Sequence, residues 1–327
     1  MSNIAVAGAN IQISRLGSLG LAIEVSAGTA NTTASVYLPY SDNSIRGHHE
    51  PIENISSRTS RVMDADSVLG RRWTEGDSEI LADIVNAGYL WKLALGNELL
   101  VTGTPNAHTF YPTFSGNTPL TATLINSRGS TDVEQYSFAC IDELNFAVSD
   151  GLATLNASWQ AQYPTAGAAQ IATTTSGTVL AFKDYFVQFG STLTTAGTNP
   201  TTPVNEFNLT IANNLEVIHR SGSSEVSTIR TKGLRVSGSY KLFFDSVTDR
   251  DAYYALNKRS MIVTFSGNAN EALQFRIPRF RINEADIDTG LDDFYALTAD
   301  FTAEDSVDLG ARVLDVKLSN SKSSVYS

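Results

Sequence analysis

The chain has four histidines, His48, His49, His108 and His219, and they are the first residues to weigh for chemistry. His48, His49 and Glu50 form the one local cluster of metal-ligand types. A zinc pair needs two ligands on one face, as at positions four apart on a helix. Adjacent histidines do not offer that, so a polar flap explains the cluster better. A second candidate is Asp286, Asp288, Asp292 and Asp293 around Gly290. A calcium loop places glycine sixth and a carboxylate twelfth. Counted from Asp286, Gly290 is fifth and Leu297 is twelfth, so a solvated hairpin tip is expected. Asp142 and Glu143, adjacent in a strand, would point to opposite faces and could not flank one bond as acid and base. Gly17-Ser18-Leu19-Gly20 has too few glycines to cradle a phosphate, and neither a nucleophile elbow nor a dinucleotide fingerprint occurs. Trp73, Trp91 and Trp159 fall in a flap, a helix and a core strand, which argues against the aromatic platform of a carbohydrate-binding module. The expectation is a protein that is not an enzyme, with no catalytic, cofactor-binding or metal-ligating residues and no cofactor.

The elements that would position such groups read mainly as strands. Ser78, Ile80, Ala82 and Ile84 alternate with Glu79, Leu81 and Asp83, as in a half-buried strand. The next segment, Asn86–Leu95, has helical spacing and Gly96 placed to end it. Strands follow near His108–Phe114 and Leu120–Ile125, then Tyr136–Val148, a turn at Asp150-Gly151, and Leu152–Tyr163. In the second half, strands are expected at Leu180–Phe189, Glu206–Asn213, Leu234–Phe244, Met261–Ser266, Leu273–Ile282 and Phe294–Ala303. A short helix runs from Thr248 to Leu256, and Pro278 marks a bulge or an edge. Residues 1–44 show one short strand, Ser35–Pro39. Residues 45–75 carry five arginines (Arg46, Arg58, Arg61, Arg71, Arg72) and read as an extended loop. Residues 190–204 read as a Gly/Thr/Pro loop.

One pattern occurs twice. Leu155, Ala157, Trp159 and Ala161 match Leu297, Ala299, Phe301 and Ala303, each 142 positions later, and Phe138 to Leu155 spans the same 17 positions as Phe280 to Leu297. The order strand, helix, strand, long hairpin recurs with it. The expected organisation is an N-terminal segment 1–44, a first β unit 45–165 with the extended loop 45–75, a linker 166–178, a second β unit 179–318 and a C-terminal tail 319–327. The Ser-rich tail suggests an end that orders only on stacking.

Composition narrows the function. Charged residues make up 17% of the 327 positions and hydrophobic ones 42%, with a net charge of −11. The low charge content suits sheets with polar, uncharged contacts and a surface covered by copies of itself. An acidic chain with a pI near 4.8 does not bind nucleic acid through a basic patch. The lone Cys140 allows no intrachain disulfide and reads as a small core residue. Asn54-Ile55-Ser56, Asn156-Ala157-Ser158 and Asn208-Leu209-Thr210 fit the glycosylation pattern by chance in a Ser/Thr/Asn-rich chain. Neither a signal peptide nor an apolar run of membrane-spanning length is read, so a product made in the cytoplasm and free of membranes is expected.

Three stretches resemble the tail tube proteins of long, flexible-tailed bacteriophages. The first is Gly20-Leu21-Ala22-Ile23-Glu24-Val25-Ser26-Ala27-Gly28-Thr29 followed by Tyr37-Leu38-Pro39. The second runs from Gly76 to Gly96. The third joins Phe207–Leu215, Val236–Tyr240, Arg276–Phe280 and Ala296–Ala303. The resemblance implies a mainly β fold: two tandem sandwich or barrel units, each with a flanking helix, whose sheets join between subunits around a lumen. It implies stacked rings that form a hollow tube for DNA, which passes without specific binding. It also implies a place in the virion, and tape measure, tail terminator and tail tip proteins as partners. Six tube units per ring, at two per chain, give a homotrimer with pseudo-sixfold symmetry, and otherwise a hexamer. The polar strand faces Thr154, Asn156, Ser158, Gln160 and Thr298, Asp300, Thr302, Glu304 are candidates for the lumen or for contacts between sheets. The arginine-bearing segment 45–75 is a candidate arm between rings. Other readings of the same profile are a baseplate or decoration subunit and a carbohydrate-binding β-sandwich.

Overall fold

The computed structural model describes residues 14–53, 67–113, 116–129, 132–168, 170–173, 177–243, 247–268, 270–288 and 294–327. Asn54-Ile55-Ser56, Arg58, Arg61, and Gly290, Asp292 and Asp293 of the acidic loop lie outside these residues. The chain begins with β1 (Ser18–Ile23), β2 (Val36–Leu38), β3 (Tyr40–Asn43), β4 (Arg46–Glu53) and β5 (Ser67–Leu81). Helix α1 (Ala87–Leu95) precedes β6 (Gly96–Val101), β7 (Asn106–Pro112) and β8 (Ala122–Ser127). β9 (Val133–Val148) and β10 (Thr154–Ala161) form a long hairpin, followed by β11 (Thr165–Ala166). The second half holds β12 (Tyr185–Gly190), α2 (Leu193–Thr198), β13 (Glu206–Ala212), β14 (Leu215–His219), β15 (Val226–Thr231) and β16 (Arg235–Phe243). It ends with α3 (Thr248–Tyr254), β17 (Arg259–Ser266), β18 (Ala272–Asp288), β19 (Ala296–Ala303) and β20 (Asp315–Asn320). The fold is mainly β.

An antiparallel sheet of eight positions runs through both halves. Its order is β3 and β4 sharing the first place, then β5, β10, β9, β13, β16, β19 and β18. Behind it lies a second layer, with β12, β17, the start of β18, β20, β7 and β6 in one group. The other group is β2, β1, β8 and the start of β9. β9 and β18 therefore belong to both layers. Each changes layer at a bulge: Asp142 is extra between the pairs Trp159/Ile141 and Ser158/Glu143, and Asn283 between Phe301/Ile282 and Asp300/Glu284. An extra residue bends the strand and raises its twist, which lets one strand serve two sheets.

The core lies between the layers. Alternation puts Leu155, Ala157, Trp159 and Ala161 on the inner face of β10, and Leu297, Ala299, Phe301 and Ala303 on that of β19; all eight are buried. Trp91 of α1 meets Phe146 and Phe275, and Phe146 stacks edge-on to Phe265. Burying each such ring contributes about 1.5–3 kcal/mol. Every residue of α1 except Lys92 is buried, and Gly96 ends the helix at φ 89° with its N–H donating to Lys92 O. Only glycine adopts that φ without strain. Pro278 does mark a bulge: β17 and β18 slip register between Arg259/Phe280 and Met261/Ile277.

Several expectations need correction. Residues 46–53 and 67–75, read as part of an extended loop, pair as the β4–β5 ladder. Their outer stretch is largely exposed on both faces, so no alternation of apolar and polar residues announced it. The loop 190–204 contains α2, started by a capping box in which Thr192 and Thr195 bond reciprocally. The segment 1–44 hides β1, whose Leu19–Ala22 run is buried on both faces between β2 and β8. The bulge places Asp142 and Glu143 along one open cleft with Asn214 and Lys232, and not on opposite faces. The end 319–327 is packed within the single chain. Tyr326 is 1% exposed among Tyr89, His108 and Phe110. Its hydroxyl accepts from Asn320 Nδ2 at 2.8 Å, and its N–H donates to Glu98 Oε2 at 3.0 Å.

Candidate functional site

The groups first weighed for chemistry do not converge. His48 and His49 are neighbours on β4, opposite Trp73 and Arg72 respectively, and alternation sends them to opposite faces. The His48 ring stacks on Trp73 with centroids 5.8 Å apart. His108 lies in the buried cluster around Tyr326, with Nδ1 2.7 Å from Glu98 Oε1 and Nε2 2.9 Å from Lys322 O. Trp91 and Trp159 are buried, so they form no sugar-binding platform. Cys140 is buried too, and burial pushes its thiol pKa up. Among the described residues no group of three or more His, Cys, Asp or Glu side chains could hold a metal ion.

What the fold does assemble is a surface. The residues alternating with the core of β10 and β19 share one face of the eight-position sheet, which is mostly polar. One row across it reads Glu79, Asn156, Asn145, Thr210, Ser237, Thr302, Arg281. Another reads Leu81, Thr154, Ala147, Asn208, Ser239, Asp300, Glu284. Thr154, Asn156, Ser158 and Gln160 therefore lie on the same face as Thr298, Asp300 and Thr302. Where β9 meets β13, Asn145 Nδ2 donates to Thr210 Oγ1 at 2.9 Å and to Asn208 Oδ1 at 3.2 Å. Ser158 Oγ donates to Asp77 Oδ1. Across the face, the acids Asp77, Glu79, Glu143, Glu206, Asp286, Asp300 and Glu284 outnumber the bases Arg235, Lys241 and Arg281. Their surplus of negative charge gives the face a potential that repels phosphates.

Glu304 sits past the end of β19, at the rim of this face. It accepts from Lys258 Nζ at 2.7 Å and lies 3.3 Å from Arg279 Nε and 3.7 Å from Arg281 Nε. The hydrogen bond from Lys258, with these charges, holds its carboxyl below the usual range.

Two structural groups escaped the sequence reading. Glu24 is buried and accepts from Gly28 N, Phe138 N, Thr121 Oγ1 and Thr123 Oγ1 at 2.7–3.0 Å. A lone acid inside the apolar run Leu19–Val25 was the available signal. Gly76 stands opposite Trp159 and Gly238 opposite Phe301, so each large ring has a glycine across the ladder. A Cβ at Gly238 would come within 2.1 Å of Asn208 O and 2.8 Å of the Phe301 ring.

A protein whose distinctive parts are a broad polar sheet face and the strand edges that bound it has the build of a structural subunit. The family model for phage tail tube proteins matches residues 14–308, and the chain belongs to that family. It is thus a structural protein of the virion tail. No curated protein matches the chain. Among the described residues no helix is long and apolar enough to cross a membrane.

Proposed function

We propose that the chain assembles into stacked rings whose inner wall is the polar face of the eight-position sheet, forming the tube through which DNA reaches the host. The observation that carries this is one sheet running through both halves of the chain, with an unpaired edge at each end among the described residues. Such edges invite pairing with another chain, and a closed ring consumes them. The surplus of acids on the face supports passage of DNA without binding.

On this reading the chain is two tandem tube units, 45–165 and 179–318, joined by the linker 166–178. The matching bulges and the matching glycine–aromatic pairs support it. Two units per chain make the ring a homotrimer with pseudo-sixfold symmetry. With strands about 4.8 Å apart and tilted about 40°, three chains close a barrel about 50 Å across and six close one about 100 Å across. Electron microscopy of the purified protein, with mass measurement of single rings, tests this. Hollow rings of three chains are expected; six chains per ring would overturn the stoichiometry, and the absence of rings the assembly itself. The β4–β5 arm reaches the adjacent ring, and deleting 48–70 should leave folded protein that no longer stacks. Tape measure, terminator and tip proteins meet the ends of the resulting tube in a long, flexible tail.

A further inference from the structure

The junction between β9 and β13 contains a template for the junction between chains. Ladder partners map one half of the sheet onto the other. Trp159/Gly76 recurs as Phe301/Gly238, Ser158/Glu143 as Asp300/Glu284, and Glu75/Arg46 as Ser237/Thr210. By the same mapping the pair Asn156/Asn145 becomes Thr298/Asp286. Asn145 thus corresponds to Asp286 and Thr210 to Arg46. Asn145 and Thr210 are direct partners across the β9–β13 junction, bonded at 2.9 Å.

Their counterparts sit on the two free edges. Among the described residues no strand pairs with the outer side of β18 beyond Phe280, or with that of β3 and β4. Asp286 and Arg46 are both exposed, and neither has an ion pair among these residues. The core side is prepared as well. Ala285 and Ile287 are half-buried on β18, and Ile45, the counterpart of Leu209, is buried beside β4.

We infer that β18 of one chain pairs antiparallel with residues 44–48 of a second copy, in the register of β9 with β13, so that Asp286 lies opposite Arg46. The inference rests on the ring assembly proposed above and names its contact. The neutral amide–hydroxyl pair within the chain is replaced by an ion pair between chains. That difference distinguishes the two junctions, because an end that meets the wrong edge leaves its charge unpaired.

The test is a cysteine at each position, Asp286→Cys with Arg46→Cys, in the full chain. Direct partners in an antiparallel ladder hold Cβ atoms about 4.5–5.5 Å apart, within reach of a short thiol cross-linker. Rings treated with it should give linked oligomers on a denaturing gel, while each single variant and the wild type, whose one cysteine is buried, should give none. In parallel, Asp286→Arg or Arg46→Asp should lower the ring fraction at least about tenfold, and the double swap should restore it. Both residues are exposed in the single chain, so an unchanged melting temperature shows that the variants fold. Normal rings from the double-cysteine chain without cross-linking would overturn this register and leave ring assembly standing. A wild-type chain that forms no rings would overturn both.

Discussion

Tyr326 offers a sharp test of how the C-terminal end is held. Its ring is buried against Tyr89, with centroids 4.9 Å apart, and against His108 and Phe110 at 5.0 and 5.5 Å. Gly88 of α1 makes the space: a Cβ there would approach Tyr326 Cζ to 2.1 Å. Tyr326→Ala should cost about 3–5 kcal/mol, as buried aromatic truncations do. Tyr326→Phe should cost less, about 1–3 kcal/mol, because it keeps the ring and leaves one buried Asn320 Nδ2 hydrogen without an acceptor while the other still donates to Ile84 O. The decisive measurement is a double-mutant cycle by urea unfolding of the unassembled chain. In the wild type Gly88→Ala should destabilise by about 1–3 kcal/mol through overpacking. In the Tyr326→Ala background the same change fills the vacated space and gains helix propensity, so it should stabilise by up to about 1 kcal/mol. The predicted effect changes sign. A Gly88→Ala change of equal cost in both backgrounds, or a Tyr326→Ala cost below about 1 kcal/mol, would refute the packing argument.

Other outcomes follow from the same contacts. Glu24→Ala leaves two backbone N–H groups and two hydroxyls without their acceptor, and should cost about 3 kcal/mol or more by chemical denaturation. Gly238→Ala should destabilise by about 1–3 kcal/mol. Phe301→Leu in the same chain should recover only part, because the closer obstacle is the backbone oxygen of Asn208. Glu304 has a folded-state pKa held below its unfolded value. Its contribution is therefore complete above the ordinary glutamate range and lost as pH falls through the lowered value. Melting temperature against pH should fall less steeply on the acid side for Glu304→Gln, and an unchanged slope would count against the Lys258 contact.

Strands with one buried face were legible, since alternation is the direct trace of a half-buried strand; β10 and β19 are the clearest cases. α1 was legible for a different reason: helical spacing, with Gly96 as its stop. The elements that went unseen lack such a trace. β4 and the start of β5 are wet on both sides, β1 is dry on both, and α2 is too short for its period to register. The polar face was readable as composition along single strands. Its continuity across eight positions was not, because the β9–β13 pairing joins residues 143–148 to 207–212, far apart in the chain. The bulge at Asp142 was invisible for a similar reason: its cause lies in the need of one strand to serve two sheets. The equal 17-residue spacing from Phe138 and Phe280 is off by one in space. Phe280 pairs with Ala303, whereas the β9–β10 register, with Trp159 opposite Ile141 as Phe301 is opposite Ile282, makes Ala139 and not Phe138 the counterpart of Phe280.

The two long strands that change layer have a mechanical consequence. Layers held together by side-chain packing alone can slide when a wall is sheared. Here β9 and β18 stitch the layers covalently, so sliding would have to stretch backbone or unzip ladders at Asp142 and Asn283. A wall built this way is stiff within each subunit. In the proposed assembly, bending is then left to the joints between successive rings, and curvature should appear there while each ring keeps its shape.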